Sequence, residues 1–198
     1  MMHPIRPSSL RGIRPALCGL AAMLILLACV SPSAVAQTVP VPEPEVTVEQ
    51  LEGKIRVNVD GELFTEYVYA DTPKPYLYPV IGPGGVPMTR NFPMKDDVPG
   101  EEHDHPHHRS MWFAHGLANG VDFWTEHEGT GTTVQEEILE VSAEGNRAVI
   151  RTRNRWVGPD GKAVAGDTRE LRFIAWPDAR AIDWQVTIHA SEGPLKLG

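Results

Sequence analysis

Ala181-Ile182-Asp183-Trp184-Gln185-Val186-Thr187-Ile188-His189-Ala190 alternates strictly between apolar and polar residues. A period of two belongs to a β-strand with one buried and one wet face, because successive side chains of an extended chain point to opposite sides. Ile182, Trp184, Val186 and Ile188 are therefore expected to face a core, with Asp183, Gln185, Thr187 and His189 outward. Residues 133–142, 147–157 and 168–176 read as three preceding strands. Glu144-Gly145-Asn146, Gly158-Pro159-Asp160-Gly161 and Pro177-Asp178-Ala179-Arg180 separate them with turn-forming residues. The four segments predict an antiparallel meander. Trp156, Trp176 and Trp184 are expected in its core, and Glu136, Glu137 and Glu140 on its solvated face.

The same alternation runs back toward the N-terminus. Residues 46–51 alternate, and Ile55, Val57 and Val59 alternate with Lys54, Arg56 and Asn58. Asp60-Gly61 then turns the chain into a strand at 63–69. Residues 76–81 are a further strand candidate, interrupted by Pro79, and Pro83-Gly84-Gly85 is a turn. Segments 112–115 and 121–125 flank Asn119-Gly120, a dipeptide suited to a two-residue hairpin turn. No segment carries a helical period. The fold class is all-β, expected as an antiparallel β-sandwich. Leu195-Lys196-Leu197-Gly198 opens another apolar segment, so the domain is expected to be a fragment, truncated at its C-terminus.

Arg6, Arg11 and Arg14 precede an apolar run at 16–30, and Ala34-Val35-Ala36 offers a small-x-small cleavage site ahead of Gln37. Residues 1–36 are expected to be a signal peptide, 37–45 a Pro-rich linker and 46–198 the β-sandwich domain, exported to the periplasm or beyond. Leu26-Leu27-Ala28-Cys29 loosely matches a lipoprotein box, so a lipoprotein anchored at Cys29 is the alternative. Cleavage after residue 36 removes both cysteines and leaves about 160 residues to stand on one core without disulfides. It also takes the formal charge from −8 to −11. No basic stripe suggests nucleic acid, and no later segment is long and apolar enough to span a bilayer.

His103-Asp104-His105-Pro106-His107-His108 holds half of the chain's eight histidines, and Arg109 follows at once. Closely spaced imidazoles suit either metal ligation or proton transfer near neutral pH. His103, His105 and His108 reproduce the histidine spacing of H-x-H-x-D-H, with His107 in place of the aspartate. That motif follows a buried strand and opens a helix. Here an acidic loop precedes the run and a strand candidate follows it. A divalent transition metal on His105, His107, His108 and His115 remains one expectation.

Lys74-Pro75-Tyr76-Leu77-Tyr78-Pro79, Gly85-Val86-Pro87-Met88-Thr89-Arg90, Asp104-His105-Pro106-His107-His108-Arg109, Met111-Trp112-Phe113-Ala114-His115-Gly116 and Asn119-Gly120-Val121-Asp122-Phe123-Trp124 form five ordered blocks. Together they resemble the PmoA-like family of exported bacterial proteins, over about residues 45–198. Its customary label, methane oxygenase PmoA, describes a bundle of membrane-spanning helices, which this β pattern does not match. The resemblance implies instead a large β-sandwich similar to the galactose-mutarotase fold, used among exported proteins for carbohydrates. It also implies a chain continuing past Gly198.

In a mutarotase-like site one group protonates near the ring oxygen while another takes a proton from the anomeric hydroxyl. His107, His108 or His115 is the candidate for one role, and Asp122 or Glu126 for the other. Arg90 and Arg109 are candidates for binding a hydroxyl or carboxylate through a planar fork, and Trp112 and Trp124 for stacking on a sugar face. The expected function is binding or acting on a small-molecule or carbohydrate-like ligand. The alternatives are a metal-dependent enzyme and a non-catalytic carbohydrate-binding module. Each residue also has a structural reading. Trp112, Phe113, Phe123 and Trp124 suit a core, His115 a backbone-satisfied buried histidine, Asp122 the end of a turn, and His127 an exposed position.

Overall fold

The computed structural model describes residues 41–198. The signal-peptide, lipoprotein and cleavage-site expectations, and residues 37–40 of the linker, lie outside them. Eleven strands follow in order: β1 Val46–Leu51, β2 Lys54–Val59, β3 Glu62–Val68, β4 Tyr76–Val80, β5 Met111–Trp112, β6 Leu117–Ala118, β7 Val121–Asp122, β8 Thr132–Glu144, β9 Arg147–Val157, β10 Ala163–Trp176 and β11 Ala179–His189. Among the described residues the sole helical element is the 3-10 turn Pro83–Gly85. No described helix is long and apolar enough to cross a membrane.

The protein is an all-β, antiparallel β-sandwich. One sheet has the order β1-β2-β3-β4-β5 and the other β11-β10-β9-β8, while β6 and β7 form a small separate ribbon. The turn between β2 and β3 places Asp60 at φ 51° and Gly61 at φ 79°. Both angles are left-handed, as a two-residue hairpin turn requires, and its twist matches the flanking strands. Val46 N–H donates to Gly145 O at 2.8 Å and links the two sheets at one corner.

The period-two reading identifies the faces. Ile55, Val57, Phe64, Tyr67 and Leu77 of the first sheet meet Ala148, Ile150, Leu171, Phe173 and Ala175 of the second in one core cluster. Phe64 and Phe173 pack edge to face at 6.0 Å. A smaller cluster of Ala118, Phe123, Trp156 and Ala165 lies at the β6–β7 ribbon.

Ile182, Trp184, Val186 and Ile188 share the inner face, as expected, and are half-buried because β11 is an edge strand. Three expectations are corrected. Trp176 is 39 % exposed rather than in the core, since it falls on the outer register at the end of β10. Segment 112–115 is not the hairpin partner of 121–125. Met111–Trp112 instead pairs with β4, and Asn119-Gly120 joins the shorter β6 and β7. Finally, β10 begins at Ala163, five residues before the expected 168. Gly166 and Asp167, poor strand formers by composition, are carried into the ladder with β9 through an irregularity between Ala163 and Ala165.

Candidate functional site

The histidine loop is held from beneath by a carboxylate and an arginine. The Glu101 carboxylate accepts Asn91 N–H at 2.8 Å, Phe92 N–H at 3.0 Å and Asn91 Nδ2 at 2.7 Å. The Phe92 amide, with help from Asn91, holds that carboxyl below its ordinary range. Arg90 donates from Nε to Phe92 O at 2.9 Å, from Nη1 to Asp104 Oδ1 at 3.0 Å, and from Nη2 to Glu102 O and Asp104 O at 3.1 and 2.7 Å. Its guanidinium is thus engaged by the loop. His105, at φ 45°, turns the chain, and His108 N–H donates back to His105 O at 2.9 Å.

That turn gathers three imidazoles. Ring centroids lie 4.4 Å apart for His107 and His108, 4.9 Å for His105 and His108, and 5.8 Å for His105 and His107. His108 stacks on Trp112 at 5.8 Å, and His107 meets both Trp112 and Trp124 at 6.3 Å. Trp112 and Trp124 contact each other at 4.8 Å, and Trp124 is 43 % exposed. The result is one aromatic face shared by loop, β5 and the segment after β7. His103 instead stacks on Phe92 at 4.5 Å.

Beneath this face lies a buried ion network. The Glu126 carboxylate, 7 % exposed, accepts Arg109 Nε at 2.8 Å and Nη2 at 2.7 Å. It also pairs with Lys74 Nζ at 3.4 Å. Lys74 is 1 % exposed and donates to Trp124 O at 2.7 Å and Phe123 O at 3.3 Å, with its ammonium 4.8 Å from the Trp112 ring centroid. Three acceptors match the three ammonium protons, so this lysine pins both tryptophans and Glu126. Glu126, expected as an acid or base, is instead the shared countercharge of Lys74 and Arg109. Asp122 closes a turn, its Oδ1 accepting Trp124 N–H at 2.7 Å and its Oδ2 accepting Thr125 Oγ1 at 2.5 Å. This fits the structural reading of Asp122.

The electrostatics follow from packing. Burial pulls the His107 imidazole below its ordinary value, aided by His108, Lys74 and His105, with Glu126 opposing. Burial does the same to His108, aided by His105 and Arg90 and opposed by Asp104. Burial also lowers the Lys74 ammonium, against the pull of Glu126. For Asp122, burial pushes upward but is outweighed by the Thr125 hydroxyl and the amides of Trp124 and Thr125, so its carboxyl lies low. Neutral imidazoles present acceptor and donor nitrogens at ordinary pH and can exchange a proton.

His115 stands apart from the face. Its Nε2 is buried without a hydrogen-bond partner, which departs from a backbone-satisfied histidine. None of the ring contacts made by the loop imidazoles involves it. Among the described residues no group of three or more His, Cys, Asp or Glu side chains is placed to hold a metal ion. His127 is exposed, as expected.

Two features escaped the sequence reading. One is Lys74. The other is a polar layer between the two core clusters, made by Thr152, Asn154, Asp167 and Arg169, each 0 or 1 % exposed. Asp167 accepts Asn154 Nδ2 at 2.6 Å, Trp156 Nε1 at 2.7 Å and Arg169 Nε and Nη2 both at 3.0 Å. A cleft of about 460 Å³ over Gly166, lined by Arg153, Arg155, His189 and Ser191, lies elsewhere, on the four-stranded sheet. It is less suited to chemistry than the histidine face. Its arginines are paired with Glu137 and Glu136, and it has no cluster of imidazoles.

An antiparallel β-sandwich with an imidazole–indole face over a buried Lys–Glu–Arg network is thus the class of molecule in hand. The chain belongs to a family of unknown function, DUF6807, whose model matches residues 54–198. No curated protein and no solved structure matches it.

Proposed function

We propose that this is an exported protein that binds a carbohydrate-like ligand on the face made by His105, His107, His108, Trp112 and Trp124. The observation that carries the reading is the contact of two indoles with two imidazoles at one exposed rim, anchored by a buried lysine. Indole faces suit the C–H surface of a sugar ring, and neutral imidazoles suit its hydroxyls. The resemblance to PmoA-like proteins, which implies a galactose-mutarotase-like sandwich, and the arginine-rich apolar N-terminus support the same reading. His107 and His108 are the groups able to move a proton at such a ligand. A second reading, a non-catalytic carbohydrate-binding module, is favoured by one observation: both candidate carboxylates, Asp122 and Glu126, are engaged internally. The test is glycan binding and sugar mutarotation by H107A/H108A against the wild type. Loss of binding, by about tenfold or more, with an unchanged melting temperature is expected. Wild-type mutarotation lost in the variant makes the face catalytic; unchanged binding overturns the proposal.

A further inference from the structure

Resting on that reading, we infer that the glycan taken at neutral pH is uncharged, because among the described residues each cation at the face is already engaged within the protein rather than presented to a carboxylate, sulfate or phosphate. Each basic group there is already engaged within the protein. Arg90 is spent on Asp104 and three carbonyl oxygens. Arg109 turns Nε and Nη2 to Glu126 and lies 5.8 Å from the Tyr76 ring. Lys74, at 1 % exposure, is beyond a ligand's reach and shares the Glu126 carboxylate with Arg109. An acidic glycan laid on the indoles would lose water from its anion and gain no cationic partner, a cost that an uncharged sugar avoids.

Only the imidazoles can change this balance among the described residues of the face. His107 and His108 face His105, Lys74, Arg90, Asp104 and Glu126. In the neutral form they add no charge. On acidification His107 and His108, with ring centroids 4.4 Å apart, become cations on the ligand side of the site. The preference should then move toward acidic glycans, since complementary charge decides between partners of similar shape.

The experiment uses the wild-type exported protein on an array holding neutral, uronate and sulfated oligosaccharides, read at about pH 7.5 and again at about pH 5. At the higher pH, neutral glycans are expected to exceed their uronate counterparts by about tenfold. At the lower pH that ratio should fall or reverse. Stronger binding of uronate or sulfated glycans at the higher pH, or a ratio that ignores pH, overturns the inference and leaves the carbohydrate reading intact. Binding of no glycan at either pH removes both.

Discussion

Glu126 is the residue on which the candidate site rests. Its carboxylate is 7 % exposed and is shared by two cations, so Glu126→Gln leaves Lys74 and Arg109 without their countercharge. Removing one partner of a buried ion pair costs about 3–5 kcal/mol. Urea unfolding of the variant should show a loss of that size, whereas a loss below about 1 kcal/mol would mean that the network is a surface-like pair. His107 and His108 make a different prediction. Both imidazoles bind protons less tightly than an ordinary imidazole of 6.5, because of burial and neighbouring positive groups. The folded state therefore takes up these protons later than the unfolded chain does, and the native loop is favoured above about pH 6.5 and loses stability as pH falls below it. Protonated imidazoles quench neighbouring indoles, so tryptophan emission should drop on acidification with a midpoint under 6.5, and Trp112→Phe with Trp124→Phe should abolish the drop. A midpoint above 6.5 contradicts the packing argument. His105, His107, His108 and both tryptophans stood out because a cluster of rare residue types in a short loop is itself a signal, while Arg109, like Arg90, was visible only as a charge. Lys74 was not, because a lone lysine ordinarily marks solvent. Its place two residues before the apolar start of β4 was the available clue. Arg90, Asp122 and Glu126 were visible as charges, but whether a charge serves a ligand or a neighbour depends on contacts across up to about fifty residues of chain, here Lys74 with Trp124 and Glu126, which no local pattern encodes.

At the scale of elements, turns and close approaches decide the register of the site. Asn119 and Gly120 sit at φ 50° and 84° between β6 and β7, and open space surrounds a Cβ at Gly120. Gly120→Ala should therefore cost about 1 kcal/mol through backbone conformation alone. Gly131 is the opposite case. A Cβ there would lie 2.4 Å from the Phe123 ring, which packs on Trp156 at 5.1 Å. Gly131→Ala should cost about 1–3 kcal/mol by displacing that ring. A smaller loss at Gly131 than at Gly120 in thermal or urea unfolding would contradict this division. The strands themselves were readable wherever one face is buried and the other wet, as in β9 and β11. The pairing of β5 with β4 was not, because two residues carry no period and the partner lies beyond the long 81–110 segment.

Across the whole molecule, the sandwich has two apolar clusters separated by a buried polar layer. Asp167 accepts four hydrogen bonds there, two of them from Arg169. Asp167→Asn leaves the guanidinium buried without its countercharge and should destabilise the fold by about 3–5 kcal/mol, measured by chemical unfolding. Alternation in β10 places Ala165, Asp167, Arg169, Leu171 and Phe173 on one face, so the layer was implicit in the pattern once the strand is started at Ala163. The central claim remains that ligand binds at the imidazole–indole face rather than in the cleft over Gly166. The most direct measurement is a two-dimensional amide and indole NMR titration with a glycan that the protein binds. The account predicts that the indole N–H signals of Trp112 and Trp124 and the imidazole signals of His107 and His108 shift together, while those of Trp156 and Trp184 stay fixed. Shifts confined to Gly166, His189 and Ser191, with the two indoles unmoved, would contradict it.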